Sequence, residues 1–348
     1  DLPTEYPDFR ARGHLSRAPG GEHYLQFSPG DGSFFLKGGC DSPENFLAYY
    51  GFDQTLDTGG IETLLLHGLH RYENHTADFV VGEDPTWRGD DRSHGIIGVI
   101  NYLASRGVNS MYMITYNIDT GDGMDVWPWT SLDERERFDC SKLDQWEMVI
   151  NHLTAKGVMF HWMTQERENQ RLLGREQYDT FLNTIRLLYY RELLARFGHT
   201  PAMVINLGEE NGNSNREVKE MSDFFRANDP YGHPLAIHTG FNKAVQVYDD
   251  IINGRRTNAT TIDATSIQGH SDNYNNWSIT FRNMSAAAGH PWAVFGDEQF
   301  PAVTPFADNV AKIRRQALWG NLVGGGAGVE WYFGYDGIWG DVQTEDFR

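Results

Sequence analysis

Arg106-Gly107-Val108-Asn109-Ser110-Met111-Tyr112-Met113-Ile114-Thr115-Tyr116 and Lys156-Gly157-Val158-Met159-Phe160-His161-Trp162-Met163-Thr164 share one construction. In each, a helical pattern runs into a basic residue and a glycine, and a short run rich in apolar, β-branched and aromatic residues follows. Glycine just past the last helical residue is the usual stop, and a short apolar run behind it reads as a buried strand. Gly289-His290-Pro291 before Trp292 repeats the signal with proline added. A recurring helix–glycine–strand unit argues for βα repeats on a parallel sheet.

Working outward, the same reading predicts strands at Phe34–Gly38, Val108–Tyr116, Val158–Thr164, Ala202–Leu207, Leu235–His238, Ala264–Gln268, Trp292–Phe295 and Gly328–Tyr332. It predicts helices at Gly95–Ser105, Leu143–Ala155, Tyr178–Phe197, Glu217–Asn228, Ile279–Ala288 and Ala307–Trp319. Eight such strands define an α/β chain folded as a (β/α)8 TIM barrel, residues 36–348. A doubly wound open sheet would place G-x-G-x-x-G after its first strand; neither Lys37-Gly38-Gly39-Cys40-Asp41 nor Gly324-Gly325-Gly326-Ala327-Gly328 has that spacing. Residues 1–35 read as short strands broken by Pro19-Gly20-Gly21 and Ser28-Pro29-Gly30-Asp31-Gly32, packing on or below the barrel. The connection from Asp41 to Arg92 is far longer than an ordinary βα loop and is expected over the barrel mouth. Only about 15 residues follow the eighth strand, too few for an ordinary closing helix, so the barrel is expected to be truncated or completed by something else.

Composition narrows the function. The chain has 348 residues with 48 Asp+Glu against 29 Lys+Arg, a formal net charge of −19, and no basic run. That disfavours nucleic acid as a partner. Hydrophobic residues at 40% supply a large core and rule out disorder. No stretch approaches the ~20 apolar residues of a membrane helix. Cys40 and Cys140 exclude a disulfide scaffold or a cysteine-rich zinc module. The sequons at Asn74, Asn258, Asn276 and Asn283 are short patterns of little weight. Oligomeric state is not legible.

In a barrel, reactive side chains gather at the C-terminal ends of the strands. Here strand four ends Asn206-Leu207-Gly208-Glu209-Glu210-Asn211 and strand seven ends Phe295-Gly296-Asp297-Glu298-Gln299. Two opposed carboxyls are what glycosidic cleavage needs: one protonated for the leaving oxygen, one ionised for the anomeric carbon or a water. The bland alternative is that such carboxylates cap helices or pair with arginines. Trp127, Trp129 and Trp331 are candidates to stack on sugar rings. His161, His238, His270, Gln165, Glu166 and Gln268 are candidates to meet hydroxyls, and Tyr332 to donate to the nucleophile.

The chain resembles the retaining (β/α)8 glycoside hydrolases with the acid/base after strand four and the nucleophile after strand seven. More narrowly it is similar to the apiosidase-like barrels of bacterial polysaccharide degradation. The resemblance covers most of the chain. It rests on Phe35-Leu36-Lys37-Gly38-Gly39 with Asp41-Ser42-Pro43-Glu44-Asn45, on Met113-Ile114-Thr115-Tyr116-Asn117 with Val126-Trp127-Pro128-Trp129, on Leu207-Gly208-Glu209-Glu210-Asn211 and on Glu330-Trp331-Tyr332. It implies Glu210 as acid/base, Glu298 as nucleophile and Asn45 among the substrate contacts. Glu209 stands where the pattern carries an asparagine for the sugar 2-hydroxyl, and could itself be the acid. A plant or algal polysaccharide, or its oligosaccharides, is the expected substrate.

Two other readings stay open: a barrel that binds glycans without cleaving them, and a metal-dependent barrel hydrolase. For the latter, His67-Gly68-Leu69-His70 has the wrong spacing for a catalytic zinc pair. Asp119-Thr120-Gly121-Asp122-Gly123-Met124-Asp125 has carboxylates of the kind Ca²⁺ uses, without EF-hand spacing, and reads as a solvated turn. No cofactor is expected. Since polysaccharides do not enter cells intact and the chain opens Asp1-Leu2-Pro3 without Met, a secreted or periplasmic location is expected.

Overall fold

Eight short parallel strands close on themselves in the computed structural model, which describes residues 5–58, 69–118, 124–174, 180–254, 261–299 and 310–332. They are β4 (Lys37–Cys40), β5 (Ser110–Ile114), β6 (Met159–Met163), β7 (Met203–Asn206), β8 (Leu235–His238), β9 (Ala264–Gln268), β10 (Phe295–Glu298) and β11 (Gly328–Trp331). The order around the wall is the chain order, and β11 pairs with β4 to seal it. This is the (β/α)8 barrel. His67, Asp119, Asp122 and Asn258 lie outside the described residues.

Before the barrel come β1 (Gly13–Arg17), β2 (Leu25–Gly30) and β3 (Phe34–Phe35), an antiparallel sheet. Its buried face, with Phe9 from the short helical turn that precedes it, sets Leu15, Leu25, Phe27 and Phe35 against Met159, Ala202, Val204, Ala236, Ala264, Ala293 and Ala327 at the starts of barrel strands. Small alanines there leave room for the aromatic rings, so the sheet plugs the lower end of the barrel.

Local signals set the helix starts. Asp139 accepts from Lys142 N ahead of α2 (Cys140–Ala155), and Asn183 from Arg186 N ahead of α3 (Thr184–Phe197). Ser214 and Glu217 form a reciprocal capping box on α4 (Asn215–Asn228), whose Val218, Met221, Phe224 and Phe225 are buried. The others are α1 (His94–Ser105), α5 (Ala244–Ile252) and α6 (Tyr274–Ala287), with a last helix over 310–323 that widens to a π-turn at Ile313–Leu318. The sequence reading missed α5. It is nine residues long and its Lys243 N-cap makes no side-chain bond, so no start signal announces it.

Two strands sit differently from expectation. The run expected as one strand at Phe34–Gly38 is two elements, β3 and β4, with Leu36 between them 52% exposed. Hydrophobicity pulled the boundary onto Phe34-Phe35-Leu36, whereas the true barrel strand is the glycine-rich Lys37–Cys40. At Gly39 a Cβ would come within 2.5 Å of Ser110 O and 2.7 Å of Glu330 Cγ. That glycine makes way for a buried polar cluster. Likewise the seventh strand is Phe295–Glu298 rather than Trp292–Phe295, because its two carboxylates mask its strand character.

The polar cluster fills the barrel interior. Lys37 Nζ lies 2.5 Å from Asp297 Oδ1 and 3.1 Å from Glu330 Oε2, and 4.2 Å from the Phe295 ring centroid. His161 Nδ1 donates to Glu330 Oε2 at 2.7 Å, and Ser110 Oγ donates to Glu330 Oε1. Burial opposes the Glu330 charge, but Lys37, His161 and Ser110 outweigh it and hold its pKa at about 2. Burial pushes the Asp297 pKa up, against the pull of Lys37. Lys37→Met would leave these carboxylates buried without their cation, so it should destabilise the fold by about 3–5 kcal/mol in urea unfolding. A loss below ~1 kcal/mol would contradict the role given to this lysine.

Candidate functional site

The mouth of the barrel is built where β4, β7, β8 and β10 end. After β7 the chain turns sharply: Gly208 has φ +123° and Glu210 φ +39°. A glutamate in the left-handed region is uncommon and costs energy, and such strain clusters at working sites. Gln165 holds the turn from below, its carbonyl accepting from Glu209 N at 2.9 Å and its Nε2 donating to Leu207 O at 3.2 Å.

The turn aims its two glutamates differently. Glu209 is 1% exposed and points inward, one carboxylate oxygen lying within 4.8 Å of an oxygen of Glu298 and of a ring nitrogen of His238. The Glu210 side chain is 28% exposed, accepts from Gln268 Nε2 at 3.0 Å and lies 3.8 Å from Arg167 Nη1. Gln268 is the register partner of Glu298, so Glu210 reaches the same rim. A register shift between Gly296 and Glu298 puts Asp297 in the buried cluster and Glu298 at the mouth.

His238 ties the parts together. Its Nδ1 accepts from Glu210 N at 3.1 Å, so its proton sits on Nε2, 3.5 Å from Glu298 Oε2. Burial, and then the proximity of His161, lower its pKa to about 3, so the ring is neutral. It can orient Glu298 without neutralising it.

Further carboxylates converge. Asp41 and Glu44, on the chain leaving β4, each bring an oxygen within 4.8 Å of Glu298 and of each other. Glu166 and Glu168 form a similar group with Glu209. Sequence reasoning gave Asp41 and Glu44 no role, because a first strand drawn at Phe34–Gly38 left Asp41 away from a strand end. Tyr112, in the middle of β5, was also missed. It is 1% exposed and its ring lies 5.8 Å from that of His238, and burial, then the charges of Glu44, Glu209, Asp41 and Glu298, push its pKa well up.

Several anticipated contacts lie elsewhere. Trp127 and Trp129 are 1% and 0% exposed and cannot stack on a sugar. Trp127 faces Lys142 Nζ at 4.6 Å, and Trp129 packs edge-on to Tyr116 at 5.0 Å. Each is core because the apolar area of an indole is worth most when fully buried. His161 belongs to the Glu330 cluster, with Asn206 Nδ2 donating to its Nε2 at 3.0 Å. Asn45 spans His70 and the Met124 carbonyl, at 2.8 and 3.0 Å. The Gln165 amide is used up between Tyr190 and Leu207. Glu166 accepts from Asn117. His270 packs edge-on to Phe241, and Trp331 and Tyr332 are half-buried at the end of β11.

No protein-family model and no curated protein matches the chain. Solved structures do. A candidate glycoside hydrolase from Bacteroides vulgatus superposes with a TM-score of 0.63 at 14% identity over 96% of this chain and 58% of its own. A glycoside hydrolase family 5 protein of the same organism gives 0.57 at 16% identity, over 92% and 62%. An endo-1,4-beta-mannanase from Rhizomucor miehei gives 0.55 at 14% identity, over 96% of each chain. The chain thus spans about three fifths of the first two, and the likeness establishes the barrel fold.

The buried histidines give a pH test. His70 is also pushed down to about 3 by burial, against an ordinary value of 6.5. Below pH 6.5 both rings take up protons in the unfolded chain but stay neutral in the folded one. Stability is therefore present in full above pH 6.5 and should fall as pH drops from there toward 3, at about 1.4 kcal/mol per pH unit for each ring. Denaturant unfolding from pH 7 to 4 should show this, and His238→Asn should flatten the slope. An unchanged slope in that variant would refute a neutral His238.

Proposed function

We propose that this chain is a retaining glycoside hydrolase, with Glu298 as nucleophile and Glu210 as acid/base. The observation that carries the reading is the meeting of Glu209 and Glu298, from the ends of the fourth and seventh barrel strands, around a neutral histidine that also accepts from Glu210 N. The alternative, a barrel that only binds glycans, loses its main support with Trp127 and Trp129 buried.

Each role follows from the surroundings. Glu298 attacks the anomeric carbon while His238 Nε2–H steadies the carboxylate oxygen. As the glycosidic bond breaks, Glu210 gives its proton to the departing oxygen, leaving a glycosyl ester on Glu298. Glu210 then takes a proton from a water, which attacks the same carbon and frees Glu298. Both steps require contact with substrate oxygen and with water, which favours the 28%-exposed Glu210 over the enclosed Glu209. We place the substrate among plant or algal polysaccharides and their oligosaccharides, and the enzyme outside the cytoplasm, where such polymers are met. Neighbours named for mannan put that polymer early in a screen.

Reducing-sugar release across a glycan panel tests the activity, and the anomeric configuration of the first product tests retention. Glu298→Ala should abolish turnover for every leaving group. Glu210→Ala should lower kcat by about 10²–10⁴-fold on poor leaving groups, spare activated aryl glycosides and regain rate with azide. Normal activity in Glu210→Gln with none in Glu209→Gln would move the acid to Glu209. An inverted product would end the retaining scheme.

A further inference from the structure

Gln268, the last residue of β9, spends its side chain on one contact. It is 6% exposed, and its Nε2 donates to Glu210 Oε1 at 3.0 Å. Its own Oε1 is enclosed and accepts from nothing among the described residues. A buried amide oxygen without a donor lowers stability, so the fold gains little from an amide at this position. The backbone beneath it is well held. Gln268 N donates to Thr239 Oγ1 at 3.2 Å, and its carbonyl accepts from Asn242 N at 3.3 Å. It also pairs in register with Glu298, so one pair of strands carries both that glutamate and the amide that reaches Glu210.

Glu210 has few other supports. Among the described residues Gln268 is the only group hydrogen-bonded to its carboxylate, and Arg167 Nη1, on a 57% exposed side chain, stands 3.8 Å from Oε2. We propose that Gln268 is a positioning residue for the acid/base: its Nε2–H holds Oε1 of Glu210 in both halves of the reaction and leaves Oε2 to give and take the proton. The inference rests on the glycosidase reading, with Glu210 in that role. Oε1 accepts equally as the carbonyl oxygen of the acid and as half of the carboxylate, whereas Oε2 is free of hydrogen bonds and faces the exposed side. Glu210 must be an acid in the first step and a base in the second. A cationic donor at Oε1 would favour the ionised form strongly, while an uncharged amide orients the group and biases it less.

The experiment uses phenyl and 2,4-dinitrophenyl glycosides of mannose, glucose, galactose and xylose, in both anomers, on the full chain. Gln268→Met keeps the length and removes the donor. It should lower kcat on the phenyl glycoside by about 10–100-fold with KM nearly unchanged. On the dinitrophenyl glycoside, where only the second step needs Glu210, azide should recover the lost rate. Added to Glu210→Ala, the same substitution should cost nothing further, because the two residues act as one unit. Its Tm should equal or exceed that of the unmutated chain, since an unsatisfied oxygen is removed. Gln268→Asn, which draws the amide back from Glu210, should show the same loss of kcat. An undiminished kcat overturns the inference. So does an equal loss in the Glu210→Ala background, which would put Gln268 on the substrate, and so does a fall in Tm, which would make it a structural residue. Full activity in Glu210→Gln overturns it as well, and each of these leaves a retaining glycosidase standing. No turnover of any glycan or aryl glycoside by the unmutated chain overturns both readings.

Discussion

Lys37 is the point on which the barrel interior turns. From the first barrel strand it reaches Asp297 on the seventh and Glu330 on the eighth, across the seam where the wall closes. Through Glu330 it is linked to Ser110 and His161, and through His161 to Asn206 on the fourth strand. Six of eight strands are thus joined by one network with one lysine at its centre. A charge so deeply buried is tolerated only while every partner is in place, so the network fixes how the strands sit relative to each other.

The mouth inherits its geometry from that floor. Asp297 is held by Lys37, and the register shift beside it leaves Glu298 facing the opening. Asn206, which donates to His161, also accepts from His238 N at 2.9 Å through its Oδ1. His238 in turn receives Glu210 N and faces Glu298. Three polar layers therefore stand one above another: a charged floor, a neutral histidine and a rim of carboxylates. The strained turn at Gly208–Glu210 persists because Gln165 and His238 bind it from both sides.

The aromatic content has a different use from the one its abundance suggests. Trp127, Trp129, Trp146, Trp162 and Trp292 are all fully buried. They fill the space between strands and helices, and in a wide barrel large rings do this with few residues. The mouth is lined instead by hydrogen-bonding groups, among them Glu209, Glu210, His238, Gln268 and Glu298.

The sequence by itself determined the repeating unit. Glycine stops and apolar runs are local signals, and they located most of the barrel strands and most of the helices before any contact was known. It also brought Glu209, Glu210 and Glu298 forward, because a barrel puts strand ends on one face. It misplaced the first strand, since Lys37-Gly38-Gly39-Cys40 carries little hydrophobicity and its Gly39 makes room for Ser110 and for Glu330, a residue from the far end of the chain. Only the tertiary structure decided that Asp41 and Glu44 stand beside Glu298, that Tyr112 packs against His238, that His161 lies in the floor and that the two tryptophans are core. Those facts depend on which interior positions closure of the barrel brings together, and that is a property of all eight strands at once.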